Sequence, residues 1–209
     1  ALKIDFKKLE HNTKLLASKC SKHGIKIAAV TKVFCGLPQA AEALIKGGAS
    51  YLADSRIENL KKLKHLNIPK LLLRIPMLSQ VEEVVGYADI SLNSEYVVIE
   101  ALSQAAIKKN KIHDIILMID LGDLREGVWM EDAVEYAGKL LDLKGINLKG
   151  IGTNLTCYGA VIPSKDNLSK LVEISKSIEE KYHITLDIIS GGNSSSLYLI
   201  DKGLIPREI

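Results

Sequence analysis

The sequence lacks an excess of either charge. Its 28 basic and 25 acidic residues leave a net charge of +3, which gives no nucleic-acid footprint. The basic clusters KKLKHL (61–66) and IKKNKIH (107–113) read as solvated helix ends and loops. Cysteine is scarce. The three residues, at 20, 35 and 157, show neither zinc-site spacing nor an even-numbered disulfide framework. Reduced thiols in a cytoplasmic protein are the expectation. No apolar run approaches the roughly 18 residues of a membrane span, and the opening ALKIDFKKLEHN has no signal-peptide core. No linker rich in Pro, Gly and Ser and no low-complexity block breaks the chain.

What is present is a globular composition, 47% hydrophobic and 25% charged over 209 residues, enough for one large core. Continuous apolar runs predict strands over 25–32, 50–55, 70–76, 88–93, 114–121, 147–154 and 186–191. Strands buried on both faces, as in parallel sheets, read this way. Between them, apolar residues at spacings of three and four predict helices over 5–24, 37–48, 95–110, 131–145 and 167–183. The alternation predicts an α/β chain, a (β/α)8 TIM-type barrel truncated before or at its eighth strand, as one domain over 1–209. The chain stops at GLIPREI (203–209), where an eighth strand should begin. Either the sequence is a fragment or that strand comes from elsewhere. A doubly wound sheet remains an alternative, because periodicity alone does not close a barrel.

Barrel chemistry sits at the C-terminal ends of the strands. Those ends carry Lys32, Asp54, Arg74, Asn93, Arg125, Asn154 and the run SGGNSSS (190–196). Lys32 closes IAAVT, so its stem is expected to be walled by apolar neighbours. Such desolvation turns an amine into a nucleophile. Gly191 and Gly192 allow backbone to approach a ligand, while Asn193 or Ser194 can cap a following helix whose N-terminus favours an anion. A reactive lysine after the first strand and a phosphate cradle after the seventh together suit pyridoxal 5′-phosphate. Arg125, in GDLREG (122–127), could orient a carboxylate or the cofactor's phenolic oxygen. It could equally be a loop arginine paired with Asp123 or Glu126. For Lys32 the plain alternative is a lysine snorkelling at a strand end, and for 190–196 an ordinary capped turn.

AAVTK (28–32), IDLGDLREG (119–127), GIGTNLTCYG (150–159) and ISGGNSSSL (189–197), with the opening KIDFKKLEHN (3–12), resemble the N-terminal barrel of fold-type III pyridoxal-phosphate enzymes. Within them the chain is similar to the alanine-racemase family, in its ornithine-racemase-like branch. The resemblance implies that Lys32 forms the internal aldimine and acts as one catalytic base. It implies that Arg125 contacts the phenolic oxygen and the substrate carboxylate, and that Ser194, with Asn193 beside it, binds phosphate. Asn154 falls where alanine racemases carry a histidine against the pyridine ring. Gly36 stands where they carry a phosphate-holding tyrosine, four residues after the lysine. The family's eighth strand and C-terminal β-domain, source of an arginine and of the opposing tyrosine base across a dimer interface, have no counterpart in these 209 residues.

The activity the resemblance implies is racemisation of an amino acid, with ornithine or another diamino acid as the suggested substrate, by Cα deprotonation on one face and reprotonation on the other, in a homodimer. No metal is implied. Asp54 or Glu58 could meet a cationic substrate side chain. Two rivals stand beside this: a single-domain pyridoxal-phosphate binding protein without racemase activity, and a barrel aldolase using Lys32.

Overall fold

The computed structural model describes residues 3–157 and 159–209. Ala1, Leu2 and Tyr158, the last within GIGTNLTCYG, lie outside the described residues. Two compact units divide the chain, one ending at Ser91 and the other running from Leu92 to Ile209.

The first unit opens with helix α1 (Phe6–Ser21), capped by the Asp5 carboxylate, which accepts from Lys8 N at 3.1 Å. Strand β1 (Ala28–Val30), helix α2 (Pro38–Lys46), strand β2 (Tyr51–Asp54), helix α3 (Ile57–Lys62), strand β3 (Lys70–Leu72) and helix α4 (Val81–Tyr87) follow. Pro38 begins α2, where its missing N–H costs nothing. Strands β1, β2 and β3 pair in parallel, with Val30 opposite Ala53 and Asp54 opposite Leu72. Ala41, Leu44, Leu52 and Leu63 form a buried cluster between this sheet and its helices. Strand β4 (Ile90–Asn93), which begins beside β3, spans the boundary between the units.

The second unit continues with helix α5 (Tyr96–Lys108), strands β5 (His113–Asp120) and β6 (Val128–Trp129), helix α6 (Ala133–Leu141), strand β7 (Ile146–Gly152), helix α7 (Lys165–Tyr182), strand β8 (Ile188–Ser190) and helix α8 (Tyr198–Asp201). Here β7 lies between β5 and β8, all parallel, and the two-residue β6 pairs with the end of β5. Ile115, Leu117, Ile119 and Ile151 are fully buried against Leu168, Leu171 and Ile178 of α7. The unbroken apolar run of β5 has this cause, since both faces of the strand are covered. A capping box opens α7: Ser164 Oγ accepts from Asn167 N, and Asn167 Oδ1 accepts from Ser164 N.

All seven expected strands form, and most are shorter than the apolar runs that announced them. The run over 25–32 is strand only at 28–30, and that over 70–76 only at 70–72.

Candidate active site

Lys32 does not end a strand. Thr31 leaves extended geometry (φ −96°, ψ −3°), and Lys32 heads a 3-10 turn through Phe34. The turn closes on itself: Phe34 N and Gly36 N donate to Thr31 O at 3.3 and 3.2 Å, and Cys35 N donates to Lys32 O at 3.1 Å. The expectation of an apolar wall is corrected here. Lys32 is exposed, as are Ala28 and Val30 of the strand before it. The apolar neighbours in sequence do not surround the amine in space.

The turn is instead anchored from beneath. The fully buried Asp54 carboxylate accepts from Thr31 Oγ1 at 2.6 Å, Arg56 N at 3.0 Å and Asn59 Nδ2 at 3.1 Å. Both oxygens are therefore committed, and Asp54 is not the partner for a cationic substrate side chain. Glu58 is exposed and accepts from Gln80 Nε2 at 3.1 Å. Gly36 is buried at φ +65°, and a Cβ on it would lie 2.9 Å from both Cβ and the carbonyl oxygen of Asn59. The tyrosine that the resemblance leads one to expect there has no room.

In the second unit the loop after β5 is built around two aspartates. Asp120 Oδ1 accepts from Gly122 N at 2.8 Å and Leu124 N at 3.2 Å. The buried Asp123 carboxylate accepts from Cys157 N and Val161 N at 3.1 and 3.0 Å, which binds this loop to the one after β7. Arg125 leans across that junction. Its Nε lies 2.9 Å from Glu126 Oε2, and its Nη1 donates to Cys157 Sγ at 2.7 Å. Burial works against the Arg125 charge, but Glu126, Cys157 and Asp123 outweigh it and hold the guanidinium above its ordinary range. The Glu126 pairing is the plain alternative read from the sequence, and it leaves other N–H groups of Arg125 for a ligand. The other oxygen of Glu126 accepts a short hydrogen bond from Asn154 Nδ2. Glu126 thus joins Arg125 to Asn154, a link invisible in sequence, where 28 residues separate it from Asn154.

The run at 190–196 begins on the last residue of β8. Gly192 takes φ +99°, a left-handed conformation open to glycine. Asn193 Oδ1 accepts from Ser195 N at 2.9 Å, and its Nδ2 donates to Leu155 O at 2.9 Å. Ser196 Oγ donates to Gly191 O at 2.9 Å, and Thr156 Oγ1 donates to Ser195 Oγ at 3.0 Å. Ser195 and Ser196 are spent on the turn, and Ser194 is exposed. The helix expected behind it is only a 3-10 turn (Ser194–Ser196) and the four-residue α8, too short for a helix dipole of consequence. Beside this turn the buried Thr153 hydroxyl, whose backbone N–H donates to Ser190 O at 3.1 Å, has no hydrogen-bond partner among the described residues.

Residues 4–204 match the family described as alanine racemase, N-terminal domain. The chain belongs to that family. It is 51% identical over 207 residues to the ornithine racemase of Acetoanaerobium sticklandii, covering 99% of this chain and 59% of that protein. It is 39% identical over 210 residues to the lysine racemase of Thermotoga maritima, covering 100% and 58%. The chain thus spans about three-fifths of the length of the curated relatives it matches. The alanine racemase of Streptomyces lavendulae has the same fold over 97% of this chain and 55% of that one, with a TM-score of 0.79 at 17% identity. The fold class is therefore the α/β truncated barrel of the alanine racemase N-terminal domain, and the doubly wound alternative falls away.

Proposed function

We propose that this chain is the cofactor-bearing barrel domain of a pyridoxal-phosphate-dependent amino-acid racemase whose substrate is a diamino acid, ornithine foremost. The observation that carries the reading is 51% identity to an ornithine racemase across 99% of the chain. The residues present suit the cofactor. An exposed primary amine stands just past β1, and a turn with Gly192 at positive φ and the exposed Ser194 stands just past β8, beside the Thr153 hydroxyl, which has no hydrogen-bond partner among the described residues.

Lys32 would hold the cofactor covalently, and Gly191, Gly192, Asn193 and Ser194 would hold its phosphate through backbone N–H groups and a hydroxyl. Pyridoxal phosphate, when bound, supplies the electron sink that acidifies the substrate Cα proton. Arg125, fixed by Glu126 and Cys157, would orient an anionic oxygen of cofactor or substrate by charge-assisted hydrogen bonds. Asn154, tied to Glu126, would steady that arginine and offer its amide to the cofactor. Lys32 would move the Cα proton on one face. Inversion requires a second base on the other face, which we assign to a partner subunit in a homodimer. Among the described residues no helix is long and apolar enough to cross a membrane. With three cysteines in no disulfide framework, we propose a cytoplasmic protein with reduced thiols.

The test is Lys32→Ala in the full-length protein. Borohydride reduction should link the cofactor to wild type but not to the variant. The optical rotation of L-ornithine should decay with wild type and persist with the variant, a loss of at least about 10²-fold in rate. Racemisation by the variant would overturn the assignment. Cofactor linkage without racemisation of any L-amino acid in a panel would favour the non-catalytic binding protein instead.

A further inference from the structure

We propose that Asp54 is a positioning residue for Lys32, acting through a closed ring of hydrogen bonds that runs Thr31–Asp54–Asn59–Lys62 and returns to the Lys32 turn at Cys35. The inference rests on the reading of Lys32 as the cofactor-linking amine.

The ring is continuous in the structure. Thr31 Oγ1 donates to Asp54 Oδ2 at 2.6 Å, and Asn59 Nδ2 donates to Asp54 Oδ1 at 3.1 Å. Lys62 Nζ donates to Asn59 Oδ1 at 3.1 Å and to Cys35 O at 2.8 Å. Lys32 lies between the two points at which the ring grips the chain, Thr31 before it and Cys35 after it. Gly36, closing the turn, leaves no space for a Cβ beside Asn59, so the turn and α3 also fit closely here.

The chemistry of the ring argues for more than stability. A carboxylate sealed from water is a costly way to hold a loop, and neutral or apolar groups would hold it as well. What a carboxylate adds is directional acceptance. Asp54 takes donors from three places at once: the end of β1, the backbone entering α3, and the α3 side chain Asn59. Each constrains where Thr31 sits. Lys32 itself is exposed, so no wall of side chains aims its stem. The backbone it grows from sets where its Cα–Cβ bond points, and that backbone is what the ring fixes. Thr31, Asp54 and Asn59 are 0%, 0% and 5% exposed, so this half of the ring is insulated from competing water, while Lys62 and Cys35 close it at the surface.

The experiment uses the full-length holoenzyme with Thr31→Val, Thr31→Ser and Lys62→Met, and Lys32→Ala as control. Thr31→Val keeps the shape and removes the hydroxyl. We expect a fall of about 10- to 100-fold in kcat with KM changed less than about threefold, as for a misplaced catalytic group. The fraction of bound cofactor that borohydride traps on Lys32 should fall, and the pH midpoint of the visible absorption should shift. In the cofactor-free protein, hydrogen exchange at the Cys35 and Gly36 amides should speed up. Thr31→Ser, which restores the hydroxyl, should return all four readouts toward wild type. Lys62→Met opens the ring at an exposed residue and should give the same changes at smaller size, which keeps the test decisive if Thr31→Val does not fold. Wild-type trapping, absorption midpoint, exchange and kcat in Lys62→Met, or in a folded Thr31→Val, would overturn the proposal while leaving Lys32 in place. Trapping that survives Lys32→Ala would remove the reading on which it rests.

Discussion

Gly36 holds a position that other residue types enter only with strain. Its φ of +65° lies in the left-handed region, and Asn59 stands where a side chain would begin. A residue with a Cβ must bear backbone strain and overpacking together, so Gly36→Ala should cost about 2–5 kcal/mol, and Gly36→Tyr at least as much. Urea denaturation checks this, and an unshifted midpoint in Gly36→Tyr would show that the turn can open away from α3. In sequence this position is only a departure from the pattern the family resemblance implies; its cause appears once α3 is in place. The same limit applies to other site residues. Lys32, Arg125 and the 190–196 run stand out by residue type and by their place after apolar runs. Glu126 as the link between Arg125 and Asn154, and Asp123 as the clamp on the β7 loop, depend on chain crossings between loops some 30 residues apart, which no local pattern records. The surroundings of Lys32 differ from the expectation for a related reason. IAAVT suggests a wall, but neighbours in an extended strand point away from one another.

At the scale of the element, long helices with clear periodicity are legible and short ones are not. Helices α3 and α4 run six and seven residues, about two turns, below the length at which local propensity sustains a helix. They exist because tertiary packing buries Ile57, Leu60, Val84 and Val85. Helix α6 is held at a specific point as well: Tyr136 Oη donates to Ser94 O at 2.7 Å, tying the helix to the segment before α5. Burial raises the Tyr136 phenol above its ordinary range, with the Glu95 charge adding to it. The native state therefore keeps the phenolic proton more tightly than the unfolded chain. The stabilisation is complete below the ordinary phenol range and is lost as pH climbs through the raised value. Tyr136→Phe should cost about 0.5–1.5 kcal/mol near neutrality. The gap to wild type should close in alkaline solution, as denaturation measured at several pH values would show. A gap that widened with pH would contradict the assignment.

At the scale of the whole molecule, what persists is the pattern of burial rather than the residues that fill it. The fold is shared with the Streptomyces lavendulae alanine racemase at a TM-score of 0.79 although only 17% of aligned residues are identical. Parallel strands covered on both faces ask for apolar volume at fixed positions, and many side chains provide it. The alternation of strands and helices was legible for this reason, as was the fold class. Ile151 shows how the demand divides. It is fully buried near the C-terminal end of β7, opposite Leu117 of β5 on one side and Ile189, the middle residue of β8, on the other. Removing one methyl group with Ile151→Val should cost about 0.5–1.5 kcal/mol, whereas Ile151→Ala leaves a cavity among side chains fixed by two neighbouring strands and should cost about 2–5 kcal/mol. Urea unfolding followed by far-UV circular dichroism distinguishes the two. Equal, small losses would mean that the strands around β7 close over the vacated space, and that volume at this position is not what the fold selects.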